Sequence, residues 1–328
     1  MVSAVRSASE PPSDVVRQLR SAGAVDAHGW ARLGDGYEAD IYTTSAVFGD
    51  GRHQLAVRLR RDASTDRIRR EAEAMRSLHR HGFPVPRVVC VSTPDISTGR
   101  PFLVMERVRG RSLGEDYWSG DRTRRARARC LLLDLHRRLH CIEPDGVLAH
   151  PVRTRTLAGD HALLETELAR QDDRTREAFA SVLDRLRFPA THIPERAVVV
   201  HGDFHYNNVL VDDEGGATVI DWSNVCAADP RTDLGWLRMV TGDPDISAYA
   251  SDLGPAEDVD VFEAVATARV LFEVVTTMFN PNTAADAINR ERAGAHHTIA
   301  AVGRLQDLIR APLANLTSLV DAALAPKS

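Results

Sequence analysis

Three side chains suited to phosphoryl transfer occur in order within one stretch of the sequence. Asp203 lies in the segment His-Gly-Asp-Phe-His, Asn208 follows five positions later, and Asp221 comes after a further apolar segment. In phosphoryl transfer a carboxylate accepts the proton of the attacking hydroxyl, while an amide oxygen and a second carboxylate hold Mg²⁺ on the nucleotide phosphates. The residue types and their spacing therefore predict Asp203 as the catalytic base and Asn208 and Asp221 as magnesium ligands.

Short apolar segments around these residues predict a small β unit that positions them. Residues 197–200 form an apolar run that precedes the first polar segment and is typical of a buried strand. Residues 209–210 and 217–220 are also apolar, and they flank the turn-forming segment 212–216 as in a β-hairpin. Since each polar segment begins where a strand ends, we expect all three side chains at one end of this unit.

Both motifs resemble those of the aminoglycoside phosphotransferase family, which includes choline-kinase-like enzymes and has a protein-kinase-like fold. The resemblance rests on His201-Gly202-Asp203 with Asn208 and on Ile220-Asp221-Trp222, and it extends over most of residues 30–240. A single His-Gly-Asp match is weak, whereas two motifs in order, each after an apolar strand, are much harder to obtain by chance. The resemblance implies Mg²⁺ as a cofactor and ATP or GTP as the phosphoryl donor.

The resemblance also implies an α+β, bilobal protein-kinase-like fold, with a small antiparallel-sheet N-lobe and a larger, mainly helical C-lobe. We expect an N-terminal extension and helix over residues 1–24 and the N-lobe over 25–108. The C-lobe, with the catalytic and metal motifs and the acceptor site, is expected over 109–328. Apolar residues at helical spacing predict helices at 66–80, 124–143, 158–186 (one or two helices), 259–279, 283–302 and 304–324.

The nucleotide site implied by the resemblance lies largely in the N-lobe. Leu-Ala-Val-Arg, ending at Arg58, matches the kinase strand that carries a phosphate-pairing lysine, but with arginine in its place. Arginine keeps the charge and can donate two hydrogen bonds to phosphate oxygens, and Glu71 on the next helix is expected to pair with it. Met105 is expected to border the nucleotide base, and the backbone groups of Glu106 and Val108 to hydrogen-bond it.

Polar residues elsewhere in the predicted C-lobe are expected to support the fold. Asp233, which follows the metal motif in the sequence, is predicted to brace the loop below the site. His136 and His140 are interpreted as packing or surface residues and not as metal ligands.

Composition narrows the possible partners and the location of the protein. The chain has 328 residues, 43% of them hydrophobic, which suffices for one large or two ordinary domains with cores. Neither a membrane-length apolar run nor a signal segment is evident, and the four cysteines lack metal-ligand spacing. Residues 201–328 carry 8 basic against 19 acidic residues, and no basic stripe suited to nucleic acid occurs. We therefore expect a cytoplasmic protein that binds neither nucleic acid nor membrane; its oligomeric state stays open.

The predicted function is transfer of the γ-phosphoryl group of ATP or GTP to a small-molecule hydroxyl. An aminoglycoside-like antibiotic is one candidate acceptor, which would make the protein a resistance enzyme. A metabolite such as choline, a sugar or an amino alcohol is an alternative, and a non-catalytic nucleotide-binding module is another. A protein kinase is disfavoured because no Ala-Pro-Glu segment follows the metal motif.

An acidic run at residues 242–263 bears on the acceptor. It contains seven Asp and Glu residues and no Lys or Arg. If these residues line the acceptor site, they would attract a cationic acceptor; the alternative is a solvated acidic surface.

Overall fold

The computed structural model describes residues 13–35, 39–61, 65–92, 100–148, 153–171, 173–246 and 252–278. Contacts between residues divide the chain into two compact units. The N-terminal unit comprises residues 1–113, 147–149 and 209–224, and the C-terminal unit comprises 114–146, 150–208 and 225–328. The hairpin and Asp221 thus group with the N-terminal unit, which differs from the boundary at residue 108 expected from the sequence.

The described chain contains helices and strands in the following order. The elements are α1 (Ser13–Ser21), β1 (Asp26–Asp35), β2 (Ala39–Phe48), β3 (Gly51–Arg60), α2 (Thr65–Arg80), β4 (Val88–Val91), β5 (Phe102–Glu106), β6 (Arg111–Ser112), α3 (Leu113–Tyr117), α4 (Arg122–His140), α5 (Leu157–Leu168), α6 (Asp173–His192), β7 (Val198–Val200), β8 (Val209–Val211), β9 (Ala217–Val219), β10 (Cys226–Ala228), α7 (Arg231–Thr241) and α8 (Ala256–Met278). Short 3-10 turns occupy Pro144–Gly146, Tyr206–Asn208, Trp222–Asn224 and Pro244–Ile246.

A five-stranded antiparallel sheet forms the core of the N-terminal unit, with strand order β1-β2-β3-β5-β4. Alternate residues of β3 project to opposite faces of the sheet. Leu55, Val57 and Leu59 are buried in an apolar cluster that includes Val15 and Leu19 of α1. The intervening residues of β3, which include Arg58, therefore belong to the other face.

The β8–β9 hairpin belongs to the N-terminal unit because of its backbone hydrogen bonds. β8 pairs with β6, and the N–H of Val219 donates to the carbonyl of Pro84 at 2.8 Å. The turn is closed by Asp212, whose Oδ1 accepts hydrogen bonds from the N–H groups of Glu214 and Gly216. These non-local pairings are not visible in the sequence pattern, which explains the difference from the expected boundary.

The C-terminal unit is mainly helical around the short β7–β10 ladder. Apolar residues of α5, α6 and α8 form its largest described core cluster. Helix α7 packs on α8 at Gly235, where a Cβ atom would lie 2.6 Å from the backbone nitrogen of Glu263. Any larger residue at Gly235 would therefore force the two helices apart.

The helices agree with the sequence pattern except near the metal motif. The predicted helices at 66–80, 124–143 and 259–279 correspond to α2, α4 and α8, and 158–186 corresponds to α5 and α6. Helix α7, which contains Asp233, is not among the helices predicted from the sequence. The helices predicted at 283–302 and 304–324 lie outside the described residues. In the described part of the chain no helix has the length and apolar character needed to cross a membrane, and all four cysteines are free.

Candidate active site

The loop after β7 holds Asp203 and Asn208 in direct contact. The side-chain Nδ2 of Asn208 donates to the backbone carbonyl of Asp203 at 2.9 Å and to its Oδ2 at 3.1 Å. On the other carboxylate oxygen, Oδ1, a hydrogen bond arrives from Trp236 Nε1 at 2.7 Å, and His205 Nε2 lies at 3.2 Å. Both carboxylate oxygens of Asp203 are thus oriented by fixed neighbours.

These neighbours also decide the ionisation of Asp203. Burial by itself would raise the pKa of the carboxyl, but His205, His201 and the Trp236 N–H together lower it below its ordinary value. The side chain remains 24% exposed. Asp203 is therefore ionised at neutral pH and can meet a molecule that enters from solvent.

Asp233, in the first turn of α7, fixes the backbone on the N-terminal side of Asp203. Its carboxylate accepts hydrogen bonds from the backbone N–H groups of His201 at 2.9 Å and Gly202 at 2.7 Å, and His140 Nε2 lies at 3.2 Å. The Asp233 side chain is fully buried, yet these contacts hold its pKa down at about 2. An ionised buried carboxylate therefore braces the loop, as predicted.

The two histidines of α4 pack behind this brace. His136 is fully buried and stacks on Phe204 with ring centroids 4.1 Å apart, and burial lowers its pKa to about 3. Potential ligand atoms of His136, His140 and Asp233 all lie within 4.8 Å of one another. However, the Asp233 oxygens already accept the hydrogen bonds of the loop, so we interpret the cluster as a packed brace and not a metal centre.

In the N-terminal unit, Asp221 belongs to a three-residue ionic cluster. Arg58 Nη1 lies 2.7 Å from Glu71 Oε1 and 3.0 Å from Asp221 Oδ1. Glu71 is buried, which raises its pKa, and the positive charge of Arg58 opposes that shift. Asp221 is 45% exposed and has a φ of 64°, the only positive φ of a non-glycine residue in the described ranges. Such backbone strain often accompanies functional positions.

The segment after Asp221 is anchored to α2 and to the turn that follows α2. Trp222 is fully buried, packs edge-on against Phe83, and donates its indole N–H to the carbonyl of Val219. Arg67 of α2 donates to Asn224 at 3.2 Å. Since Glu71 lies on the same helix, α2 supports both the position of Arg58 and that of the Asp221 loop.

Comparison with known proteins agrees with this architecture. The family model described as "Phosphotransferase enzyme family" matches residues 29–266. The chain belongs to this family. An aminoglycoside 3'-phosphotransferase from Streptomyces fradiae is 29% identical over 197 residues, which cover 57% of this chain and 65% of that relative. The chain thus matches slightly less than two thirds of the relative's length.

Solved phosphotransferase structures share the fold. The GDP and kanamycin complex of APH(2")-IIia superposes with a TM-score of 0.63 at 16% identity, covering 86% of this chain and 96% of that one. An aminoglycoside-3'-phosphotransferase of type VIII gives a TM-score of 0.54 at 23% identity, covering 77% and 97%. The predicted α+β, protein-kinase-like fold is therefore confirmed.

The expected base-binding segment of this phosphotransferase-family chain lies at the end of β5. Met105 pairs with Ala56 in the sheet, and Val108 follows the end of the strand. The N–H of Glu106 donates to the carbonyl of Arg87 at 2.9 Å, and its carboxylate accepts from the Arg87 guanidinium at 2.7 Å. Because that N–H is already used, the Glu106 carbonyl is the backbone group left for the expected hydrogen bond to a base.

The acidic run at 242–263 is used in ion pairs within the C-terminal unit. Residues 247–251 of the run lie outside the described residues. Six of the seven acidic residues in the run lie within ion-pair distance of an arginine of α4 or α7: Asp243 and Asp245 with Arg129, Asp252 with Arg137, Asp258 with Arg231, and Asp260 and Glu263 with Arg238. Arginines therefore balance much of the charge of the run, while Asp245 and Asp252 remain 66% and 59% exposed.

Two features of the site have no counterpart in the sequence interpretation. Trp236 contacts Asp203 from 33 positions away in the chain, and no local pattern points to that contact. The ion pair of Arg58 with Asp221 likewise joins β3 to a distant loop. Only the position of Trp236 three residues after Asp233, one helical turn along, could have suggested that it faces the same loop.

Proposed function

We propose that this chain transfers the γ-phosphoryl group of ATP or GTP to a hydroxyl of a small molecule, with Mg²⁺ as cofactor. The observation that carries the proposal is the contact between Asp203 and Asn208, because a base and a metal ligand must be neighbours in this reaction. The acceptor oxygen would form a bond to the γ-phosphorus as the bond to the bridging oxygen breaks. The nucleoside diphosphate leaves with that electron pair, and the hydroxyl proton passes to Asp203.

The low pKa of Asp203 suits an orienting role. A strong general base has a pKa near the working pH, whereas a carboxylate with a lowered pKa is a weak one. Phosphoryl transfer proceeds through a loose transition state in which positioning matters most. Asp203 is therefore proposed to align the hydroxyl through a hydrogen bond and to take its proton late in the reaction.

The proposed metal ligands fit Mg²⁺ by the chemistry of their donor atoms. Mg²⁺ prefers carboxylate and amide oxygens. Asn208 uses its Nδ2 on Asp203, which leaves the amide oxygen as the atom suited to a cation, and the Asp221 carboxylate is exposed. When bound there, Mg²⁺ would supply positive charge that neutralises the nucleotide phosphates. Arg58, positioned by Glu71, is proposed to bind the phosphates directly, and Met105, Glu106 and Val108 to bind the base.

Two classes of acceptor fit the proposed reaction. Relatives named as aminoglycoside phosphotransferases support an antibiotic acceptor, while a metabolite alcohol remains the second candidate. The cytoplasm, which supplies ATP and GTP, is the proposed location. A non-catalytic nucleotide-binding module is disfavoured because Asp203, Asn208 and Asp221 are all retained.

A screen of hydroxyl-bearing antibiotics and metabolites, with ATP and GTP as donors and direct detection of the phosphorylated product, tests the proposal. Asp203→Asn serves as the catalytic control, and we expect it to lower turnover about a hundredfold or more while nucleotide binding is kept. Wild-type turnover by this variant on a verified acceptor would refute the assignment of Asp203. Nucleotide binding without transfer to any acceptor would favour the non-catalytic alternative.

A further inference from the structure

The indole of Trp236 donates its only polar hydrogen to the proposed base. Trp236 Nε1 lies 2.7 Å from Asp203 Oδ1, and the contact joins residues 33 positions apart in the sequence. An indole has one N–H donor and no acceptor, so the direction of this hydrogen bond is fixed. A hydrogen bond to a charged group is stronger than one between neutral groups. The contact can therefore determine which way the Asp203 carboxylate faces.

The two carboxylate oxygens of Asp203 are used unequally. Oδ1 accepts from Trp236, and His205 Nε2 lies 3.2 Å from the same oxygen. The Nδ1 of that imidazole accepts the backbone N–H of Asn207 at 3.2 Å, which leaves the ring proton on Nε2, beside Oδ1. In the described part of the chain, Oδ2 accepts from Asn208 Nδ2 at 3.1 Å. Since a carboxylate oxygen accepts about two hydrogen bonds, the remaining acceptor position lies on Oδ2.

The helix that carries Trp236 also fixes the backbone of the Asp203 loop. Asp233, one turn earlier in α7, accepts the backbone N–H groups of His201 at 2.9 Å and Gly202 at 2.7 Å. One turn of α7 thus holds both the position of the loop and the direction of the carboxylate on it. Removing the indole N–H alone should release the carboxylate and leave the backbone in place.

We infer that Trp236 is a positioning residue, whose indole N–H holds Oδ1 of Asp203 and thereby presents Oδ2 to the acceptor hydroxyl. The inference rests on the proposed function for the identity of the incoming group. The Asp203 side chain is 24% exposed, so a molecule from solvent can reach it. The hydroxyl donates to Oδ2, and its proton passes to that oxygen as the hydroxyl oxygen bonds to the γ-phosphorus and the nucleoside diphosphate leaves. Without the indole N–H the carboxylate rotates more freely, so the hydroxyl is aligned less often.

Two substitutions of Trp236 separate its hydrogen bond from its packing. Trp236→Phe removes the N–H and keeps a six-membered aromatic ring. Trp236→His loses the six-membered ring but has Nε2, which can carry a proton, at the ring position of the indole nitrogen. A role in packing predicts that phenylalanine is tolerated better, and a role in positioning predicts the reverse. We expect Trp236→Phe to lower kcat about tenfold and Trp236→His to retain most of it, with the nucleotide KM unchanged in both.

Trp118→Phe is the matched control. Trp118 is also partly buried in the C-terminal unit and packs edge-on against Tyr117, but its indole N–H makes no hydrogen bond with a described residue. This variant should keep the wild-type kcat, and thermal unfolding of the three variants shows whether each is folded. If Trp236→Phe keeps the wild-type kcat, or loses no more of it than Trp236→His, the inference is wrong.

A measurement without substrate tests the contact itself. The chain has four tryptophans, so a ¹H–¹⁵N correlation spectrum contains four indole signals, and Trp236→Phe identifies that of Trp236. Asp203→Ala should shift this signal upfield and speed the exchange of the indole proton with solvent. Asp203→Asn should move the signal less, because the amide oxygen would take the Oδ1 position between two donors. An unchanged signal in Asp203→Ala, or an equal shift in both variants, would overturn the assignment of the two oxygens.

Phosphoryl transfer by the wild type is scored separately. If the indole signal behaves as expected but the wild type phosphorylates no acceptor, the hold of Trp236 on Asp203 stands and the proposed function fails. If the wild type phosphorylates an acceptor and Trp236→Phe is equally fast, the proposed function stands and the inference about Trp236 fails.

Discussion

Replacement of Asp233 by asparagine should destabilise the protein in a pH-dependent way. The carboxylate is fully buried and accepts hydrogen bonds from the backbone of His201 and Gly202, with His140 in contact. Its pKa is lowered from 3.8 to about 2, which corresponds to about 2 kcal/mol of unfolding free energy at neutral pH. An asparagine side chain at this position would keep one acceptor oxygen and introduce an NH₂ group facing donors. We therefore expect Asp233→Asn to lower the unfolding free energy by about 2 kcal/mol or more.

The pH dependence separates this mechanism from simple disruption of packing. Because the folded-state pKa of Asp233 is depressed, its stabilisation is complete above about pH 5 and is lost as the pH falls towards about 2. Asparagine does not titrate, so the stability difference between wild type and Asp233→Asn should shrink as the pH is lowered. By about pH 3, roughly half of the ionic contribution should be gone.

Urea denaturation at a series of pH values between neutrality and about 3 measures this difference directly. Asp252→Asn is the control, since Asp252 is 59% exposed and lies 3.6 Å from its arginine partner. An exposed pair of this kind contributes little, and this variant should remain within about 1 kcal/mol of wild type. A constant difference between wild type and Asp233→Asn across this range would refute the idea that hydrogen bonds to an ionised Asp233 hold the loop.

Three further predictions concern the other ionic contacts. Asp221→Ala should abolish Mg²⁺-dependent nucleotide binding, measured by nucleotide titration with and without Mg²⁺; unchanged metal dependence would point to another ligand. Arg58→Lys should retain activity, whereas Arg58→Ala should lose both activity and stability because Glu71 is left buried without its cation; full thermal stability of the alanine variant would contradict this. Asp258→Asn should cost about 1 kcal/mol in denaturant unfolding, because Arg231 is buried and donates to it at 2.7 Å; a raised acceptor KM with unchanged stability would instead restore the acidic-cleft hypothesis.

The parts of the site that can be predicted from sequence are those built by local chain geometry. Asp203 and Asn208 lie within one loop, so their contact follows from a strand followed by a short turn. The proximity of Arg58 and Glu71 is expected because a strand followed by a helix is a common unit of the resembled fold. In both cases few residues separate the two partners in the sequence. The family resemblance then indicates how the loop, or the strand and helix, place the two side chains against each other.

The rest depends on contacts between distant segments. Helix α7 is not predicted from the sequence, and it contains Gly235, a poor helix former. The structure shows why glycine is required there: the backbone of α8 lies 2.6 Å from the position that a Cβ atom would occupy. The contact of Trp236 with Asp203 follows only once α7 is known to be a helix, because Asp233 and Trp236 then lie one turn apart and face the same loop.

Arginine supplies almost all of the basic side chains, both in the candidate site and in the ion pairs of the C-terminal unit. Only one of the 41 basic residues is a lysine. A guanidinium has five donors in a planar fork, so one side chain can serve two carboxylates, which the compact ammonium of lysine does less readily. Arg58 contacts both Glu71 and Asp221, and Arg238 contacts both Asp260 and Glu263. In each unit, one buried arginine thus holds two carboxylates, and in the C-terminal unit the arginines of α4 and α7 balance an acidic run that has no arginine of its own.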